Sequence, residues 1–343
     1  MHKIQITTLI LKITLLTTLL TTLTACTSEK RMNIEQPNYY IKLNMQGCQR
    51  IVTVNGFEVE SDFEGYSSAD EIPINHLIKN GENYFELMVP DQETVEEWPA
   101  DSACTVEVRV SGKVKSDLVD YKVADIVFTA DYTAPSTNFT KNSMVSGSYE
   151  FINGKTMLTE DALDSSIQDI KNMPIYEAGM DGVFQRGFIA RVPFPQWAFF
   201  EGETLFDGYH PLQSDEQYDT AKAVIWPKVI ELWDLFEAKD LDKILSLFEF
   251  RSKEYDQAFY REPGNTLAQL KNSLENVYAS KYPLNRKDNS KMQMVVSFAN
   301  NLVTIVNAGT YNGTVMFYDH ETDSNTFYDV YWMQKDGEWI IAR

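Results

Sequence analysis

Arg50-Ile-Val-Thr-Val-Asn-Gly-Phe-Glu-Val-Glu60 sets the dipeptide Asn55-Gly56 between two runs rich in β-branched residues. Asn-Gly is the strongest short-range hairpin signal, because both central residues of a type I′ turn need positive φ, which Gly adopts freely and Asn tolerates. The stretch therefore predicts two antiparallel strands joined by a tight turn. Outward from it, short apolar runs separated by turn residues continue from Tyr39 to about Asp131, with no helical period. That pattern reads as antiparallel β.

A second turn signal, Asn80-Gly81, lies between Ile72-Pro-Ile-Asn-His-Leu-Ile78 and Tyr84-Phe-Glu-Leu-Met-Val89. This stretch is similar to the helix-turn-Lys-x-Gly-x-Asn-strand segment of many jelly-roll and immunoglobulin-like accessory domains, a fold element with no ligand attached. With Cys104–Val110 and Tyr121–Thr129 as further strands, residues 38–132 are expected to form a β-sandwich. Residues 133–212 read as a connecting region: a Ser/Thr/Asn/Pro-rich stretch, a short helix from Leu158 to Ile170, then aromatic-rich strands that include the span Gly187–Phe200. An aromatic run containing Trp197 and Phe199 either lines a domain interface or is exposed for a partner.

Beyond residue 213 the period changes. Ser214-Asp-Glu-Gln217 resembles a capping box, and Val224, Ile225, Val229, Leu232, Trp233 and Phe236 keep helical spacing, with Pro227 allowing a kink or a break. Leu241, Ile244, Leu245 and Phe248 predict a second helix after Lys239-Asp240, and Thr266–Ala279 a third. Strands are expected at 291–299, 302–306, 314–319, 326–334 and from Glu338 onward. Ala238-Lys-Asp-Leu-Asp-Lys-Ile-Leu-Ser-Leu-Phe248 and the closing Trp332-Met-Gln-Lys-Asp-Gly-Glu-Trp-Ile-Ile-Ala-Arg343 make residues 213–343 resemble the nuclear-transport-factor-like (cystatin-like) cone. The resemblance implies three helices on a curved antiparallel sheet, giving an α+β chain overall: β-sandwich first, cone second. It also implies a pocket lined by Trp233, Phe236, Phe298 and Trp332, unless these residues simply fill the core.

Met1-His2-Lys3 is followed by an apolar, threonine-rich stretch interrupted by Lys12. The uninterrupted part is shorter than the roughly 20 residues a spanning helix needs, so residues 1–25 read as a signal peptide. Leu23-Thr24-Ala25-Cys26 resembles the bacterial lipobox, which implies lipidation of Cys26 and a membrane anchor. The alternative is an ordinary secretory signal that leaves Cys26 a free thiol. In a Gram-negative host, Thr27 after the cysteine implies sorting to the periplasmic side of the outer membrane, and residues 26–37 read as a polar tether. Export leaves Cys48 and Cys104 either as a disulfide or as two buried thiols.

Fifty Asp and Glu against 30 Lys and Arg give a net charge of −20. A field of that sign repels phosphates and favours basic surfaces, so nucleic acid is excluded as an expected partner. Asp234, Tyr255, Tyr260 and His320 are the acid/base candidates that the cone resemblance brings forward, and they form no motif; His76 and His210 are isolated. Asp319, Glu321, Asp323 and Asn325 alternate as in a calcium loop, but Val330 stands where the closing glutamate belongs. No metal and no cofactor is expected. The reading is a non-catalytic, lipid-anchored binding protein that engages a protein partner, in a layout that resembles immunity proteins. A small-ligand or envelope-assembly role for the cone pocket, or an unfamiliar enzyme site, stands as the alternative.

Overall fold

The computed structural model describes residues 34–89, 102–129, 143–152, 155–160, 182–203, 215–280, 282–296, 301–307, 313–319 and 324–343. Cys26, the tether up to 33, residues 161–170, His210, Ser214, Phe298, His320, Glu321 and Asp323 lie outside them. The chain is α+β: sheets come first, then helices packed on further sheets.

The first half holds β1 (Glu35–Gln46), β2 (Arg50–Val54), β3 (Phe57–Asp62), β4 (Ser68–Pro73), β5 (Gly81–Val89), β6 (Ala103–Val114), β7 (Asp117–Thr129), β8 (Ser143–Ile152), β9 (Lys155–Glu160) and β10 (Gly182–Ala190). One sheet has the order β4-β1-β6-β7-β8-β9 and the other β10-β5-β2-β3, with antiparallel pairing throughout. Asn55 and Gly56 form the β2–β3 turn at φ 50° and 75°. Alternation sends Ile41, Leu43, Met45, Val106, Val108 and Ile126 of one sheet inward against Val52, Val54, Phe85, Leu87 and Phe184 of the other. Phe128 and Phe184 stack across the gap at 5.7 Å.

The Lys79-x-Gly81-x-Asn83 stretch turns the chain from one sheet to the other. Asn83 accepts from Lys79 N and donates to the Lys79 and Gly81 carbonyls, while Asn55 of the first hairpin donates to its Oδ1 at 2.8 Å. Cys48 and Cys104 are disulfide-bonded, fully buried, with Cα atoms 6.1 Å apart.

Two features depart from the sequence reading. The sandwich does not close at 132, because β8, β9 and β10 extend its sheets. Leu158 to Glu160, expected to start a helix, finish β9 instead: Leu158 pairs with Tyr149 and Glu160 with Ser148, so cross-strand pairing overrides weak helical spacing.

The second half begins with α1 (Asp215–Ala238), α2 (Leu241–Ala258) and α3 (Asn265–Ser280). α1 runs through Pro227 without a break. Asp240 caps α2 by accepting from Lys243 N at 3.3 Å, and the buried Asp256 caps α3 by accepting from Gly264 N (2.7 Å) and Thr266 N (2.9 Å). Then β11 (Met292–Val296), β12 (Val303–Asn307), β15 (Tyr331–Lys335) and β16 (Glu338–Ile341) form one sheet, and β13 (Val315–Asp319) and β14 (Ser324–Tyr328) a separate hairpin. The single strand expected at 326–334 is thus two strands that part at Asp329-Val330.

Neighbouring residues of the four-stranded sheet serve two cores. Val303, Trp332 and Ile341 face the helices, in a core with Val229, Trp233, Phe236, Ile244 and Phe248. Leu302, Met333 and Ala342, one residue away in each case, join the core of the sandwich. The sheet is therefore the wall between the halves. The aromatic span lies in the same seam: Trp197 and Phe199 are buried in the sandwich core, Trp197 Nε1 donates to Asn75 O, and Ala198 N donates to Glu254 on α2 at 2.8 Å. Asn75 completes the joint, donating to Ala258 O of α2 at 2.7 Å.

Candidate protein-binding surface

Residues Asp62–Ser67 connect β3, the edge of one sandwich sheet, to β4, the edge of the other. Beneath this loop lies Arg50, which is 1% exposed. An uncompensated guanidinium there would carry a large desolvation penalty, and this one is saturated. Its Nε and Nη2 grip Glu60 bidentately at 3.1 and 2.7 Å, and Nη2 also donates to Ser68 Oγ. Nη1 reaches Asp62 Oδ2 at 2.9 Å and the Cys48 and Tyr66 carbonyls at 2.8 and 3.0 Å. Burial pushes the Glu60 carboxyl up, Arg50 pulls it down, and Asp62 and Asp70 add repulsion.

Asp62 in turn organises the loop backbone. Its carboxylate accepts from the main-chain N–H groups of Glu64 (2.8 Å), Gly65 (3.0 Å) and Tyr66 (2.7 Å). Gly65, at φ 73°, supplies the left-handed residue the turn requires. Ser67 Oγ accepts from Gly47 N, and the disulfide at Cys48 fixes the neighbouring chain. Such a loop is held in one conformation by its own polar groups.

That fixed loop leaves its aromatics in solvent: Phe63 is 54% exposed and Tyr66 69%. Single exposed apolar side chains are ordinary; here two large rings three residues apart are both exposed on one ordered loop. The surroundings are mainly acidic, with Lys42 on β1 paired to Glu71 at 3.2 Å. Glu58–Glu71 contains Glu58, Glu60, Asp62, Glu64, Asp70 and Glu71 and no Lys, Arg or His. Among them, Arg50 neutralises only groups that face the interior. Carboxylates on two edge strands also deter pairing with another chain's edge.

The sequence candidates fall elsewhere. Trp233, Phe236 and Trp332 are buried together in the helix-side core, where Phe236 packs against Phe317 and Tyr328 at 6.0 Å and Trp233 Nε1 donates to Thr314 O. Trp197 and Phe199 are buried in the seam. Asp234 is exposed and paired with Arg286 at 2.9 Å. Tyr260 donates to Pro37 O, while Tyr255 lies in the seam with its ring 5.6 Å from His76. Among the described residues nothing brings Asp234 together with Tyr255 and Tyr260, and His320 lies outside them. Among the described residues, no group of acidic, histidine or cysteine side chains is arranged to hold a metal ion, and no helix is long and apolar enough to cross a membrane. Phe63 and Tyr66 escape periodicity analysis because they belong to neither strand. The signal that marks them is compositional, two rings within a cation-free run of six carboxylates.

No protein family, curated protein or solved structure matches this chain.

Proposed function

We propose that the protein is a lipid-anchored lipoprotein of the bacterial envelope, tethered through Cys26, that binds a basic protein partner through the Asp62–Ser67 loop, with Phe63 and Tyr66 as its anchors. The observation that carries this reading is a pair of solvent-exposed rings on a loop that Arg50 and Asp62 immobilise. Aromatic anchors dominate interface energetics, and a binding loop ordered beforehand loses less entropy on association. The carboxylates around the rings select a basic partner and speed encounter with it. Burial of Trp233, Phe236 and Trp332 in a packed core gives the alternative of a cone-pocket ligand less support.

The specific form we favour is neutralisation of a secreted antibacterial effector by a periplasmic, outer-membrane-anchored immunity protein. Its test is competition of a gene-deleted strain against toxin-bearing siblings, complemented either by the wild-type chain or by a Phe63→Ala/Tyr66→Ala chain. Rescue by wild type alone supports the reading. Equal rescue by both chains removes the loop from it, and unaltered survival on deletion removes the immunity role.

A further inference from the structure

β4 ends the six-stranded sheet, so one of its edges faces β1 and, among the described residues, nothing pairs with the other. The register decides which backbone groups lie on each side. In an antiparallel ladder the N–H and C=O of one residue point the same way, and successive residues alternate. Ile74 N donates to Tyr39 O at 2.9 Å, one step past the Pro73–Tyr40 pair. Ser68, Asp70 and Ile72 therefore bond to β1, while Ala69, Glu71 and Pro73 turn their backbone groups away from the sheet. Pro73 has no N–H to leave unpaired there, and the outward side of an edge strand is where proline is tolerated. Ala69 and Glu71 each offer a donor and an acceptor, and both residues are exposed.

The side chains alternate as well. Ile72 packs against the sandwich core and Ser68 Oγ accepts from Arg50, so Asp70 between them lies on the inner face of the edge, close enough to Glu60 to repel its charge. Glu71 lies on the outer face beside Lys42 of β1. Both carboxylates belong to exposed residues, so the edge carries one on each face. They repel the edge of a second copy, whose net charge is −20, and attract an edge of opposite sign. The strand starts directly after the Asp62–Ser67 loop, and Pro73 limits pairing at its far end.

We infer that the partner adds an extended segment to the outer edge of β4, with two consecutive basic residues opposite Asp70 and Glu71. Successive side chains of a strand point to opposite faces, so a Lys-Lys or Arg-Arg pair brings one cation to each carboxylate while its backbone bonds to Ala69 and Glu71. In strand addition the main-chain bonds give affinity and the alternating side chains give selectivity. This mode presupposes the basic partner proposed for the loop, and sets the added segment beside the loop that carries Phe63 and Tyr66.

The probe is a fluorescent hexapeptide, Thr-Val-Lys-Lys-Val-Thr, titrated with the full processed chain and followed by anisotropy. Beside it run the Glu-Glu analogue and two forms N-methylated at one or the other alternate set of amides. Saturable binding of the Lys-Lys peptide is expected, and none of the Glu-Glu peptide. A strand bonded along one edge uses every second amide, so one N-methyl form should lose binding about tenfold or more and the other should keep it. Ala69→Pro removes an N–H that β1 does not use, and should weaken binding about tenfold at an unchanged melting midpoint. Should that variant melt lower, Asp70→Asn reads the same edge: binding should weaken and depend less on salt. Strand addition is overturned by equal binding of the two N-methyl forms, by a folded Ala69→Pro chain that binds as well as wild type, or by no saturable binding of the Lys-Lys peptide. The loop reading fails separately, if the Phe63→Ala/Tyr66→Ala chain captures the basic partner in cells as well as wild type does, whatever the peptide shows.

Discussion

Arg50 and Asp62 form an ion pair at 2.9 Å in which the carboxylate also caps the loop above it, through Tyr66 N at 2.7 Å. One residue thereby joins the buried base of the sandwich edge to the exposed surface. The arrangement makes the shape of the loop depend on a side chain that no partner could touch.

Arg50→Met should therefore act at a distance. It leaves Glu60 and Asp62 nearly buried with no cation, and breaking a buried pair from one side costs about 3 kcal/mol. A lower urea midpoint together with faster proteolysis at 62–67 is the expected result. Unchanged proteolysis would mean that the loop is ordered by other contacts.

Phe63→Ala and Tyr66→Ala should do the opposite. Both side chains are exposed, so stability should stay within about 0.5 kcal/mol of wild type, while each change weakens partner binding about tenfold or more, as truncated aromatic anchors do. Urea unfolding checks the first part, and surface plasmon resonance at two salt concentrations the second. The remaining affinity should fall as salt rises, since the carboxylates stay in place.

The disulfide closes a sequence separation of 56 residues. In the chain-entropy account its loss costs about 4 kcal/mol. A Cys48→Ala/Cys104→Ala chain, or wild type under reductant, should unfold at correspondingly lower urea. Because Cys48 O accepts from Arg50, the double variant should also loosen the loop.

Glu254 supplies a test of the seam that uses protons alone. Burial pushes its carboxyl up to about 7, opposed by the Ala198 N–H and by Lys335. The folded state then holds a proton that the unfolded chain releases near 4.5. Its stabilisation is complete below that value and is lost as pH rises to about 7. His76, depressed by burial, works in the other direction, losing stability as pH falls below its ordinary value. The difference between wild type and Glu254→Gln isolates the carboxyl: the variant should be more stable at pH 8 by about 1 kcal/mol after allowance for solvent screening, and the gap should close by pH 4.5. Urea unfolding across pH 4 to 8 reads it.

The helices were legible because their apolar residues keep one period and because Asp240 and Pro283 mark boundaries. The Asn55-Gly56 hairpin was legible from two residues. The strand expected at 326–334 takes in β15, but the break that separates it from β14 at Asp329-Val330 was not legible, since Trp332 and Met333 are both buried, one in each core. A strand covered on two sides loses the alternation by which strands are recognised. β8 and β9 were hidden in a stretch where Ser and Thr interrupt the apolar residues, and where pairing of β8 with β7 provides what the local sequence lacks. Cys48 and Cys104 were recognisable as a pair because only three cysteines occur. The loop itself needed coordinates, as nothing in Arg50's sequence neighbourhood announces that its guanidinium reaches Tyr66.

The most direct measurement places a photo-crosslinking amino acid at position 63, 66 or 118 of the full chain in cells that carry the partner. Leu118 is 80% exposed at the other end of the six-stranded sheet and serves as the control. The account predicts an adduct with one basic protein from positions 63 and 66, absent from 118 and diminished by Arg50→Met. Adducts of equal yield from all three positions, or none from 63 and 66, would contradict it.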